Sequence, residues 1–120
     1  MANWGNADTL AAYKKMLSLK GQVSLKDVLD AKRVKEFSVP MAAGLTYNYA
    51  AKEVNAQILS VLQELADEAE LVAKFKELYE GAVINTGENR KVLHHLLRGQ
   101  LGADVIYEGN NLRTFYQTQQ

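Results

Sequence analysis

Apolar residues recur at helical spacing along much of this chain. Leu10, Tyr13, Met16 and Leu17 predict a helix over about 7–18, capped by Asn6 or Asp8 and ended at Gly21. A short helix from Leu25 to about Lys32 follows, with Ser24 as N-cap, Asp27 in the first turn, and Val28 and Leu29 facing inward. The longest stripe, Val54, Ile58, Val61, Leu62 and Leu65, predicts a helix over about 52–67, with Lys52, Glu53, Gln57 and Glu64 on its other face. The next helix, about 70–79, turns Leu71, Val72, Phe75, Leu78 and Tyr79 inward and stops at Gly81. A loop over 83–87 leads to a further helix, Glu88 to Arg98, with Val92, Leu93, Leu96 and Leu97 inward and Gly99 closing it.

Two stretches break the helical period. Glu36–Val39 and Leu45–Tyr49 alternate, and Pro40 and Gly44 bracket a turn, which predicts a hairpin with Pro40 at a strand end. Val105–Tyr107 reads as a short strand and Glu108–Asn111 as a turn. Leu112, Phe115 and Tyr116 then open a helical stripe, either a frayed terminus or a helix cut short. The expected fold is mostly α with a small β element, an α+β class in one domain over 1–120.

Composition narrows the function. The formal net charge is zero, with 14 basic and 14 acidic residues, so no basic surface for nucleic acid is expected. With no cysteine, disulfides, thiolate zinc sites and cysteine nucleophiles are excluded. No apolar run reaches the roughly 20 residues of a membrane helix, and no secretory signal precedes Trp4, so cytoplasmic residence is expected and no membrane partner.

Candidate chemistry is thin. His94 and His95 are adjacent, so on a helix they diverge by about 100° and would not share a metal ion; one packed and one solvated histidine is the expectation. Glu88-Asn89-Arg90 reads as the first turn of a helix, Glu88 favouring its dipole and Arg90 able to pair with a carboxylate or phosphate. Tyr47 and Tyr49 are expected to cover a core. The acidic residues between Glu64 and Glu80 alternate with lysines as a solvated face. No glycine-rich phosphate loop and no nucleophile elbow occurs.

The segment Ile84-Asn85-Thr86-Gly87-Glu88-Asn89-Arg90-Lys91-Val92-Leu93-His94-His95-Leu96-Leu97-Arg98 resembles a signature of the glucose-6-phosphate isomerase family, I-N-x-T-E-N-R-A-V-L-H-x-A-L-R. Asp30–Ser38 is similar to that family's D-x-x-R-x-x-x-F-S, Leu45–Lys52 to L-x-x-D-Y-S-K, and Val105–Asn111 to I-L-V-D-G-K-D. Gly87, Lys91, Asn48 and Ala50 depart from the pattern, and with them its capping and turn contacts.

The resemblance implies an N-terminal piece of an α/β sugar-isomerase-type enzyme. That enzyme would interconvert glucose 6-phosphate and fructose 6-phosphate through a cis-enediol, without metal or other cofactor. It implies a glutamate base, a histidine and a lysine for ring opening, and a serine/threonine-rich loop with a glycine pair, all beyond this chain. No catalytic, cofactor-binding or metal-binding residue is therefore assigned here. Glu88, Asn89, Arg90 and His94 are expected to serve as a helix cap and as packing against the enzyme's remaining domains. Those domains are the expected partner, with sugar phosphate bound only by the whole enzyme, and an oligomer of identical chains is compatible with this. Apolar surface left bare would favour self-association. The alternatives are a stand-alone interaction module derived from the domain and, more remotely, a helical metal protein using His94 and His95.

Overall fold

The computed structural model describes residues 2–98 and 102–119. They form two compact units, Asp8–Leu65, and Met1–Ala7 with Ala66–Gln120. Short helices and two-stranded antiparallel sheets make up both, so the α+β expectation holds.

In the Asp8–Leu65 unit, α1 spans Ala11–Ser18. Leu10 holds the N-cap position without a side-chain bond, so neither Asn6 nor Asp8 caps this helix. Its inward face is Ala12, Met16 and Leu19; Leu17 is exposed, against the sequence reading. The helix expected over 25–32 is two helices, α2 (Leu25–Val28) and α3 (Ala31–Glu36). The break comes from Asp30, whose carboxylate accepts the Arg33 N–H at 2.7 Å and starts a second helix. Ser24 does sit at the N-cap of α2, though its hydroxyl makes no cap bond. Val28 and Leu29 are exposed rather than inward.

The expected hairpin forms from β1 (Ser38–Pro40) and β2 (Thr46–Asn48), with Val39 opposite Tyr47 and Pro40 at its strand's end. Asn48 accounts for one departure from the family pattern. Its amide donates to the Val34 carbonyl at 2.6 Å and accepts the Ala50 N–H at 3.0 Å, whereas an aspartate could only accept.

Helix α4 (Ala56–Glu68) starts four residues later than expected, because Asn55 accepts the Ile58 N–H at 2.8 Å as its cap. Ile58 and Val61 meet Leu19 and Val23 in the core, with Met16, Val54 and Leu62 against them.

In the second unit, α5 spans Leu71–Tyr79. Leu78 and Tyr79 are half-buried, but Leu71, Val72 and Phe75 are exposed, contrary to the inward face expected. Gly81 is the stop as expected: its N–H reaches the Leu78 carbonyl and the Ala82 N–H reaches that of Glu77, a Schellman closure.

The helix expected over Glu88–Arg98 is absent. In its place β3 (Val83–Asn85) pairs with β4 (Arg90–Lys91), and a 3₁₀ turn covers His94–Leu97. Asn85 accepts the Glu88 N–H at 3.2 Å, and Asn89 takes a left-handed φ of 51°, which closes a hairpin loop where a helix would have begun. Leu93 and Leu96 are buried, Val92 half-buried and Leu97 exposed. The buried pair is three apart, the repeat of a 3₁₀ turn. Gly99, expected to close the helix, lies outside the described residues.

Strand β5 (Ile106–Tyr107) pairs with β6 (Asn110–Asn111) across the two-residue turn Glu108–Gly109, whose φ values are both positive. Asn111 then caps α6 (Leu112–Gln117) by accepting the Arg113 and Thr114 N–H groups. Leu93, Leu96 and Val105 form this unit's core, with Leu112 and Tyr116 packed on it.

Candidate functional site

The residues singled out from the sequence do not converge on a reaction centre. Glu88 and Asn89 lie in the β3–β4 loop and Arg90 opens β4, all exposed. Arg90 Nη1 stands 3.9 Å from Glu88 Oε2, and both side chains are well solvated, so this pair contributes at most about 1 kcal/mol. The helix-cap role expected of Glu88 is replaced by a loop bond, the Asn85 amide donating to its carboxylate at 3.2 Å.

One histidine is packed and the other solvated, as expected. His94 is exposed. The His95 ring lies 4.5 Å from that of Tyr79, and its Nε2 is 3.2 Å from the Tyr79 carbonyl. A carbonyl only accepts, so Nε2 carries the proton. Nδ1 is buried and has no hydrogen-bond partner among the described residues. Among those residues no three histidines, aspartates or glutamates come together to hold a metal ion. Tyr47 and Tyr49 stack at 6.1 Å on the hairpin, and Tyr49 also meets Phe37 at 5.1 Å.

Of the polar groups with the densest contacts, Arg33 stands at the arginine of the D-x-x-R-x-x-x-F-S stretch and Arg113 in no motif. Arg33, 8% exposed, donates to the carbonyls of Ala50, Lys52 and Val54 at 2.8–2.9 Å, and its guanidinium lies 3.9 Å from the Phe37 ring centroid. Arg113 is likewise buried, donating to the Ala103 carbonyl at 2.9 Å beside Asp104. Both bind main chain and hold loops in place. The sequence carried a faint signal for Arg33, its i,i+4 spacing to Phe37 across α3.

Glu70 and Glu77, one heptad apart, fasten the N-terminal arm to α5. Glu77 accepts the Ala2 N–H and, at 3.0 Å, the Trp4 indole N–H; Glu70 accepts the Asn3 N–H at 2.7 Å. The Ala2 N–H bond, more than the indole, holds the Glu77 carboxyl below its ordinary range. A depressed folded pKa means stabilisation that is present above the ordinary value near 4.5 and lost as pH falls through the lower folded value. Trp4 is the chain's single tryptophan and reports this contact. Its emission is expected to move to the red as pH falls below about 4.5, and Glu77→Ala should give the red-shifted spectrum already at pH 7. An acid titration flat down to unfolding, or an unchanged Glu77→Ala spectrum, contradicts the arm's attachment.

For proton transfer at carbon, a carboxylate base is most effective with its pKa raised toward the working pH in a water-poor site. Glu77 is shifted the other way, and both its oxygens are engaged by the arm. The Asp8–Leu65 unit carries an apolar groove of about 490 Å³ lined by Val39, Tyr47, Tyr49, Lys52, Val54, Leu59 and Leu62, with no carboxylate in its wall. No helix among the described residues is long and apolar enough to cross a membrane.

Comparison with known proteins supplies what the geometry lacks. The profile of a family described as phosphoglucose isomerase matches residues 48–118. A glucose-6-phosphate isomerase of Treponema denticola is 47% identical over 121 residues, covering 94% of this chain and 23% of that protein. One from Borreliella burgdorferi is 43% identical over 121 residues, covering 99% of this chain and 23% of its own length. The crystal structure of a glucose-6-phosphate isomerase from Chlamydia trachomatis shares the fold, with a TM-score of 0.74 at 24% identity over 96% of this chain and 24% of that one. The chain thus spans about a quarter of the length of the relatives it matches.

Proposed function

Since this chain belongs to the phosphoglucose isomerase family, we propose that it is the N-terminal portion of a cytoplasmic glucose-6-phosphate isomerase, without catalytic function by itself. The observation that carries this reading is the pairing of 43–47% identity over nearly all of this chain with coverage of only 23% of the relatives. In the whole enzyme the reaction is an aldose–ketose interconversion of glucose 6-phosphate and fructose 6-phosphate, moving a proton between C1 and C2. That step needs a carboxylate within hydrogen-bond reach of the substrate C–H. As the family resemblance implies, we assign the base, the ring-opening groups and the phosphate loop to the remaining domains. This portion contributes a folded scaffold, its loops fixed by Arg33 and Arg113.

The test is a hybrid enzyme. Replacing the matching span of the Treponema denticola protein with this chain should give a soluble isomerase with turnover within about tenfold of the parent, since its part is structural. A hybrid that folds but does not turn over glucose 6-phosphate counts against the proposal.

A further inference from the structure

Helix α5 has more apolar surface than its own unit covers. On a nine-residue helix, Leu71, Val72, Phe75, Leu78 and Tyr79 fall within one sector of about 120°, a single apolar stripe. An apolar stripe of that width on a helix characteristically faces packed protein. Within the stripe Leu78 and Tyr79 are half-buried, and on other positions Glu70 and Glu77 are occupied by the N-terminal arm. The rest of the stripe is bare: Leu71 is 55% exposed, Phe75 58% and Val72 83%. Leu71, Val72, Phe75, Lys76 and Tyr79 line an open groove of about 670 Å³ there. Its one charged lining residue, Lys76, reaches toward Glu80 at 3.9 Å, so no set of charged groups converges on a small ligand.

We propose that the Leu71–Val72–Phe75 flank of α5 is a domain interface, covered by isomerase polypeptide beyond this chain. This rests on the reading above. The amount of missing chain supports that occupant: about three quarters of each relative lies outside the matched span. A second copy is the weaker candidate on area. The helix is only about 13 Å long, and one such stripe falls well short of the roughly 800 Å² per partner of a stable dimer.

The test carries Val72→Glu with Phe75→Glu in two settings. In the isolated chain, where both side chains face solvent, the pair should leave the circular dichroism spectrum and the Trp4 melting curve unchanged. In the hybrid enzyme the same pair places two carboxylates against apolar surface. The yield of soluble active enzyme should then fall at least tenfold, and α5 amides should exchange at least tenfold faster. Should the hybrid itself not fold, the aligned positions of the Treponema denticola enzyme take the same pair, with the same loss expected. An enzyme indifferent to the pair overturns the proposal. So does an isolated chain that unfolds with it, since the flank would then be packed internally, or a tight homodimer that the pair abolishes. A parent hybrid that folds without activity refutes the functional reading instead, and the exchange of its α5 amides still decides the interface.

Discussion

Arg33→Ala is expected to destabilise the Asp8–Leu65 unit by about 4 kcal/mol and to lower its melting temperature by about 20 °C. The size follows from what the guanidinium holds. Its Nε and Nη2 satisfy three carbonyls, those of Ala50, Lys52 and Val54, where the chain runs from the hairpin into α4. A bond from a charged donor is worth about 1.5–3 kcal/mol, and each buried carbonyl left alone costs about 1–3, with the terms less than additive. The contact with Phe37 is lost as well. Arg33→Lys should recover only part of the loss, because one ammonium cannot span three carbonyls as a planar fork does. Hydrogen exchange at residues 49–59, with a calorimetric melt, separates the variants. Equal protection in Arg33→Ala and the parent would show that the loop does not depend on this residue.

Gly81→Ala should destabilise the second unit by about 3 kcal/mol. At φ 80°, Gly81 closes α5 in a region where a Cβ costs about 1–2 kcal/mol. An added Cβ would also overlap Val105 Cγ1, and Val105 belongs to the Leu93–Leu96 core, so relief must come from moving packed atoms. Gly109→Ala is the matched control. Its φ is 79°, nearly the same, but a Cβ there meets nothing within 4 Å, so a loss of about 1 kcal/mol is expected. Denaturant unfolding followed by Trp4 fluorescence measures both. Equal losses would show that the approach to Val105 contributes nothing.

These two sites also show how far the sequence could be read. Gly81 was legible because a glycine after an apolar helical stripe has one common use. The β1–β2 hairpin and the α4 stripe were legible for the same reason: alternation and a sustained 3.6-residue period each have few structural solutions. The β3–β4 region was not. Val92, Leu93, Leu96 and Leu97 fit a helix as well as a 3₁₀ turn, and the choice fell to Asn85, whose local bond competes with helix initiation, and to Asn89, which takes a left-handed φ. The break at Asp30 was misread in the same way, as an interior position and not a cap.

The α5 flank failed for a different reason. Its period was read correctly as helical, but apolar periodicity says only that a face is meant to be covered, not that the covering residues belong to the same chain. Arg33 stood in the D-x-x-R-x-x-x-F-S match, but its role was missed because carbonyl acceptors leave no trace in side-chain identity. For the site, no motif in the sequence marks a catalytic constellation, and the family resemblance lies in Ile84–Arg98 and its flanks, the stretch whose local structure was predicted least well. Likeness of sequence carried identity across a segment that propensity misjudged.

The most direct measurement is a coupled assay of the purified 120-residue chain with glucose 6-phosphate, reading fructose 6-phosphate formation against an intact isomerase. A scaffold without a placed base is expected to give no turnover above the blank at any pH from 6 to 9. Sustained turnover by the chain alone, proportional to its concentration, would contradict the central claim.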